Sequence, residues 1–279
     1  MKTTIPHLIT ESNLSIAWAR ALLHLLDGAD DALIVAIRGF EGDLPSEDLT
    51  IARALDVQLA ANDIPLIGQT ALTIVPYDRW LRLNKPPIEE LSQWYLTEYL
   101  PRLKARCSKN RRGTYFERFV SFTGVREKDG KTEIRTVNQL SHIISIWKNL
   151  EEKGKRPRQS ALQIASFDPA KDHTGSALAG FPCLQQVSFT YHEAGTLEVS
   201  AYYPTQYLFD RAYGNYLGLC QLGHLVAHAL GAKLTRFTCF VARPELGHGS
   251  KTAHAAFAST LRACVAKVTD IKPSSQPTP

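Results

Sequence analysis

One short stretch of the sequence concentrates the side chains able to do covalent chemistry. In "FPCLQQVSFTYHEAGTLEVSAYYPTQYLFDRAYGNYLGLC", residues 181–220, Cys183 follows Pro182 at the head of strand-like sequence. A thiolate held at a strand end is a nucleophile that can add to an electron-poor carbon. A thiol in the same place can equally be a small apolar core side chain, and residue type alone leaves both readings open. The other cysteines are Cys107, Cys220, Cys239 and Cys264, of which the last three lie inside apolar patterns and read as core. The same stretch holds Tyr202, Tyr203, Tyr207, Tyr213 and Tyr216, which could stack on a planar ring or fill a core with their hydroxyls at its edge. The nine histidines form no metal-spaced cluster. His224 and His228 are four apart on one helix with no third ligand nearby in sequence, and read as core or groove residues. There is no G-x-G-x-x-G, Walker loop, H-E-x-x-H or G-x-S-x-G.

Several elements must position these groups. Helical spacing and end signals fall over 13–28, 44–63 and 88–107, with Pro101 expected to kink or divide the third. Helices are also expected over 138–154, 208–231 and 251–268. Strands are expected at 32–40, 70–77, 160–167, 183–204 and 235–243, with "HEAG" turning a hairpin inside the fourth. The segment 113–124 is ambiguous. Helices and strands mix without strict βαβ alternation, which predicts an α+β fold around a large mixed sheet flanked by helices. No repeat or linker divides the chain, so a single domain over 1–271 is expected, with a disordered tail at 272–279, "KPSSQPTP".

Composition bounds the partners. The chain has 279 residues, 44% of them hydrophobic and 21% charged, enough to bury a core without staples. A net charge of +5 suits an anionic ligand without calling for nucleic acid. No apolar run is long enough to span a membrane. An odd, widely spaced set of cysteines and no signal-peptide pattern lead one to expect a reduced, cytoplasmic chain. The basic runs 104–112 and 148–158 read, taken alone, as solvated loops.

The order of parts carries a resemblance. "NQLSHIISIW" precedes the strands, then come Pro-Cys, a hairpin, a strand ending in "YY", a short turn, and a helix carrying Asn215. This order resembles the C-terminal half of thymidylate synthase and its pyrimidine hydroxymethylase relatives, from about Asn138 to Val268. "GTYFERF" is similar to a further family segment, and "TIVPYDRW" more distantly so. The resemblance implies a thymidylate-synthase-like fold, a homodimer paired face to face, and Cys183 as nucleophile toward C6 of a pyrimidine. That addition makes C5 an enolate-like centre able to accept a one-carbon unit. It implies a thiol whose pKa is lowered by nearby cations. Asn215 would read the ring through its paired donor and acceptor, although alone it reads equally as a helix cap or turn residue. Thr205 would lie in a phosphate-binding turn, and Tyr203 beside the substrate. Arg156 and Arg158 would reach a phosphate from the partner subunit. Arg211 would support the thiolate or, more simply, pair with Asp210. Glu41, Glu47 and Asp56 are candidate general bases, with helix-start charge the simpler account of Glu47.

The departures are as specific. Pro204 stands where the family has its phosphate-binding arginine, and Tyr207 where an aspartate meets the pterin of folate. The cofactor is therefore open. With these departures, the resemblance implies either a transferase acting at C5 of a pyrimidine nucleotide or related heterocycle, other than by standard dUMP methylation, or a nucleotide-binding protein on the same scaffold that has lost the reaction.

Overall fold

A computed structural model describes residues 5–40, 42–106, 113–173, 175 and 182–270. Cys107, Glu41 and the proposed tail at 272–279 lie outside the described residues. Six strands form one mixed sheet in the order β1 (His7–Glu11), β2 (Leu33–Ile37), β8 (Lys233–Glu245), β7 (Thr196–Tyr207), β6 (Gln186–His192), β5 (Gln163–Ala165). β1–β2 and β7–β8 pair in parallel, and the other neighbours are antiparallel. The exposed pair β3 (Phe122–Lys128) and β4 (Lys131–Val137) forms a separate hairpin. The α+β class and the flanked mixed sheet are as expected.

One sheet face is apolar and covered. Ile9, Val35, Phe237, Val199, Phe189 and Ile164, one from each strand, are all buried. The central helix over them is α10 (Tyr213–Ala229), apolar on nearly all sides, as a helix enclosed by protein must be. Gly223 lets it lie close on the sheet, where a Cβ would come 2.6 Å from Val199. Gly214 and Gly218 do the same toward α3 (Ile67–Leu72), where added Cβ atoms would meet Thr70 at 2.6 Å and the Ala71 carbonyl at 2.9 Å. α1 (Leu14–Leu26) is capped by Asn13 and packs against α11 (Ala255–Asp270). Among the described residues no helix is long and apolar enough to cross a membrane.

Three local expectations are corrected. Residues 70–77 are not a strand but the end of α3 and the start of α4 (Tyr77–Arg82). Their alternating apolar pattern is overridden by caps: the Asp56 carboxylate accepts from the Ile67 N–H at 2.9 Å, and the Gln69 side chain from the Leu66 N–H at 2.9 Å. Asp56 is thereby engaged as a helix-start acceptor rather than placed as a free base. In the third helical segment the break comes before Pro101. α5 (Ile88–Trp94) runs through a π-helical turn at Tyr95–Tyr99 into α6 (Leu100–Arg106), and the wider turn accommodates a proline ring with no N–H to give. Last, β7 runs straight through Pro204 and Thr205 to Tyr207, paired with β8, so the supposed phosphate-binding turn is extended strand. The ambiguous 113–124 resolves into α7 (Tyr115–Val120) and the start of β3.

Candidate functional site

Cys183 enters the site three residues before β6 from a segment anchored on both sides. The Gln185 N–H donates to the Tyr202 carbonyl at 3.0 Å, and its side chain donates back to the Pro182 carbonyl at 2.7 Å. Ser166 donates its hydroxyl to the Leu184 carbonyl. Beneath this strand Arg118 of α7 makes a two-pronged ion pair with Asp172 at 2.6 and 2.8 Å and donates to the Ser166 carbonyl at 2.6 Å. Burial works against the Asp172 carboxylate, but Arg118 and the Asp168 N–H outweigh it and hold its pKa below the usual value. Gln139, from α8 (Gln139–Glu151), ties the same layers together, donating to the carbonyls of Arg118 and Ala165 and accepting from the Ala165 N–H.

Burial and two side chains set the electrostatics of the thiol, with a third side chain, Tyr115, close by. Tyr115, at the start of α7, accepts from the Leu184 N–H at 3.2 Å. Its own acidity is suppressed, its pKa pushed up to about 12, by burial and by the nearby Cys183 sulfur, with the backbone N–H groups and Arg211 opposing. Burial likewise raises the Cys183 pKa; Arg211 acts against this and Glu245 adds to it. The expected cation is therefore present, but desolvation wins and the thiol at rest is protonated, a correction to the expected lowered pKa.

Arg211 sits on a π-helical turn, Leu208–Ala212, that is fixed from outside. The Trp18 indole donates to the Leu208 carbonyl at 2.7 Å, and the Phe209 N–H donates to the Leu246 carbonyl at 3.1 Å. Half-buried, Arg211 makes one long contact, 3.4 Å to the Thr70 hydroxyl, and no ion pair among the described residues. The simpler reading, pairing with Asp210, does not hold, because Asp210 accepts from the His248 N–H at 2.8 Å. Asn215 follows one helical turn later within α10, buried, with no hydrogen bond to its carboxamide among the described residues. It is not a helix cap. Tyr203 is fully buried beside Tyr115 and Cys183, and its hydroxyl has no partner among the described residues. An open cleft of about 500 Å³ at the Glu245 side is lined by Tyr207, Asp210, Glu245, Leu246, Gly247 and His248.

Other anticipated residues are elsewhere. Arg156 pairs with Glu151 at 3.0 Å and lies over the rings of Trp147 and Tyr191. Tyr191 is at the far end of β6 from Cys183, so this loop, with the exposed Arg158, does not reach the thiol within one chain. Thr205 is half-buried on β7, with no side-chain hydrogen bond among the described residues. The tyrosines do not form one platform. Tyr202 lies on the open face of the sheet against Phe240, Tyr213 contacts Ser15 and Glu47, and Tyr216 donates to Gln206 at 3.0 Å. Of the candidate bases, Glu47 has its carboxyl pKa raised by burial, with the Tyr213 hydroxyl, 2.7 Å away, opposing.

Sequence reasoning had not picked out Tyr115 or Glu245, which face Cys183 from distant elements. It also gave no hint that the His224 imidazole lies 2.5 Å from the Tyr77 hydroxyl and 3.3 Å from Asp43. No protein-family model matches the sequence, and no curated protein matches it significantly.

Proposed function

We propose that this chain is a thymidylate-synthase-like transferase that adds a one-carbon or other small group to C5 of a pyrimidine nucleotide or related heterocycle. The observation that carries the reading is the setting of Cys183, half-buried just before a strand beside the Tyr115 hydroxyl and a guanidinium, Arg211, that has no carboxylate partner among the described residues. Charge on Arg211 that no described carboxylate neutralises is available to an anion. As the S–C6 bond forms, the thiol proton must leave to a base and negative charge moves to C5 and O4 of the ring. Asn215, whose carboxamide has no partner among the described residues, supplies the donor and acceptor that an adjacent ring carbonyl and N–H require. Tyr207, exposed on β7, offers no carboxylate to a pterin, so folate does not fit that position and no step is routed through it.

The anionic end of the substrate is assigned to Arg156 and Arg158 of a second copy, in a homodimer joined through open sheet faces. Support comes from a row that crosses four strands in register, Leu8, Ile34, Phe240 and Tyr202. Leu8 is 61% exposed, and Phe240 and Tyr202, both 39% exposed, stack at 5.7 Å. An apolar stripe of this kind on a solvated sheet is a surface that association would cover.

A second reading, a nucleotide-binding protein without the transfer step, is favoured by one observation, the upward shift of the thiol. Native mass spectrometry with 5-fluoropyrimidine nucleotides separates the two. A covalent adduct present in the parent and absent in Cys183→Ser sustains the transferase. Noncovalent binding without an adduct leaves the binding protein, and no binding to any nucleotide sinks both.

A further inference from the structure

Away from the thiol, the fold gathers two imidazoles and a carboxylate that lie far apart in sequence. His7 opens β1, His24 lies in the last turn of α1, and Asp31 lies on the loop before β2. One ligand atom from each falls within 4.8 Å of the others. The three positions are fixed independently of one another. The His7 N–H donates to the Ala32 carbonyl at 2.8 Å, which holds β1 against the loop carrying Asp31. His24 is carried by a helix whose interior is buried, with its Nε2 3.2 Å from Asp31 Oδ2. The two imidazoles lie face to face, 3.8 Å between centroids and 9° from parallel.

A His24–Asp31 hydrogen bond alone would not require His7, and two stacked rings cannot both carry a proton without repulsion. A shared cation accounts for all three at once. The carboxyl end of α1 adds negative potential there. Asp30 adds a charge without an ion pair among the described residues, whereas Asp27 is already paired with Arg262.

We propose that His7, His24 and Asp31 bind a divalent first-row transition metal of the Zn2+ class, with the remaining positions taken by water. Two imidazole nitrogens and one carboxylate oxygen are a donor set that such ions prefer over Mg2+ or Ca2+. The site sits on the outer edge of the sheet, three strands from β7, or about 14 Å at the usual strand spacing. It is separate from the Cys183 site and would clamp the edge strand β1 to α1.

The test uses the full chain stripped of metal by a chelator and titrated with Zn2+ by calorimetry and with Co2+ by absorption spectroscopy. The expected result is one equivalent bound, visible Co2+ d–d bands without the near-ultraviolet band that a thiolate ligand gives, and a melting temperature raised by the metal. Affinity should fall by about tenfold or more in His7→Ala and in Asp31→Asn. His7 is exposed, so its variant should fold, and matching metal-free melting curves check this. Absence of saturable binding, a thiolate band, or equal affinity in the parent and both folded variants would overturn the proposal.

Discussion

At the scale of single residues the Cys183 thiol is decided by a balance between three influences. Burial and Glu245 favour the protonated sulfur, and Arg211 favours the thiolate. Alkylation by iodoacetamide, which reads thiolate, should therefore rise with pH along a curve displaced above that of a free cysteine. Arg211→Ala should move the curve further up and slow labelling at pH 8, whereas Glu245→Gln should move it down and speed labelling. The reverse order would remove Arg211 from the site. A substrate that brings its own anion would be drawn to Arg211 and would alter the same balance. That Arg211 could approach Cys183 was legible in the sequence because the two lie within one continuous stretch. Tyr115 and Glu245 were not, since they approach the thiol from a helix 68 residues before it and a strand end 62 residues after it. Nothing in a linear pattern relates those distances.

At the scale of elements, the position of Arg211 depends on helix packing more than on its own contacts. The turn that bears it precedes α10, and α10 lies against α3 at the two glycines, 214 and 218. Gly214→Ala would place a methyl 2.6 Å from the Thr70 Cβ and 2.7 Å from the Ile67 carbonyl, so α3 would have to move. A loss of about 1–3 kcal/mol is expected from such overpacking, read from urea unfolding. Because Thr70 is also the contact of Arg211, adduct formation should fall with stability. An unchanged unfolding midpoint would mean that the helices are less tightly apposed. The error over 70–77 belongs to this scale too. The β-branched residues of "TALTIV" suit a strand, but Asp56 and Gln69 supply helix-start acceptors from positions that the local pattern does not reveal.

At the scale of the whole molecule, the sheet has one covered face and one open face. The α+β architecture was readable because periodicity and turn residues persist over many elements. The pairing order was not, since β1 and β8 meet β2 from opposite ends of the chain. The homodimer proposed above makes the open face an interface and the thiol site a composite of two chains. Tyr202→Glu combined with Phe240→Glu should give a folded monomer by sedimentation velocity, unable to form the fluoropyrimidine adduct. Mixing Cys183→Ser with an Arg156→Ala, Arg158→Ala double variant should restore part of the adduct yield, as each mixed dimer carries one intact site. A parent that sediments as a monomer, or a mixture that regains nothing, would end the composite-site proposal.

The burial that raises the Cys183 pKa also bears on the chemical durability of the thiol. Peroxide and disulfide reagents attack the thiolate, and a sulfur kept as S–H in a desolvated setting offers them little to attack. Burial of this kind keeps the sulfur at position 183 slow to oxidise. Its window of vulnerability opens at an elevated pH that draws off the proton, whereas an anion bound at Arg211 would cancel a charge that favours the thiolate.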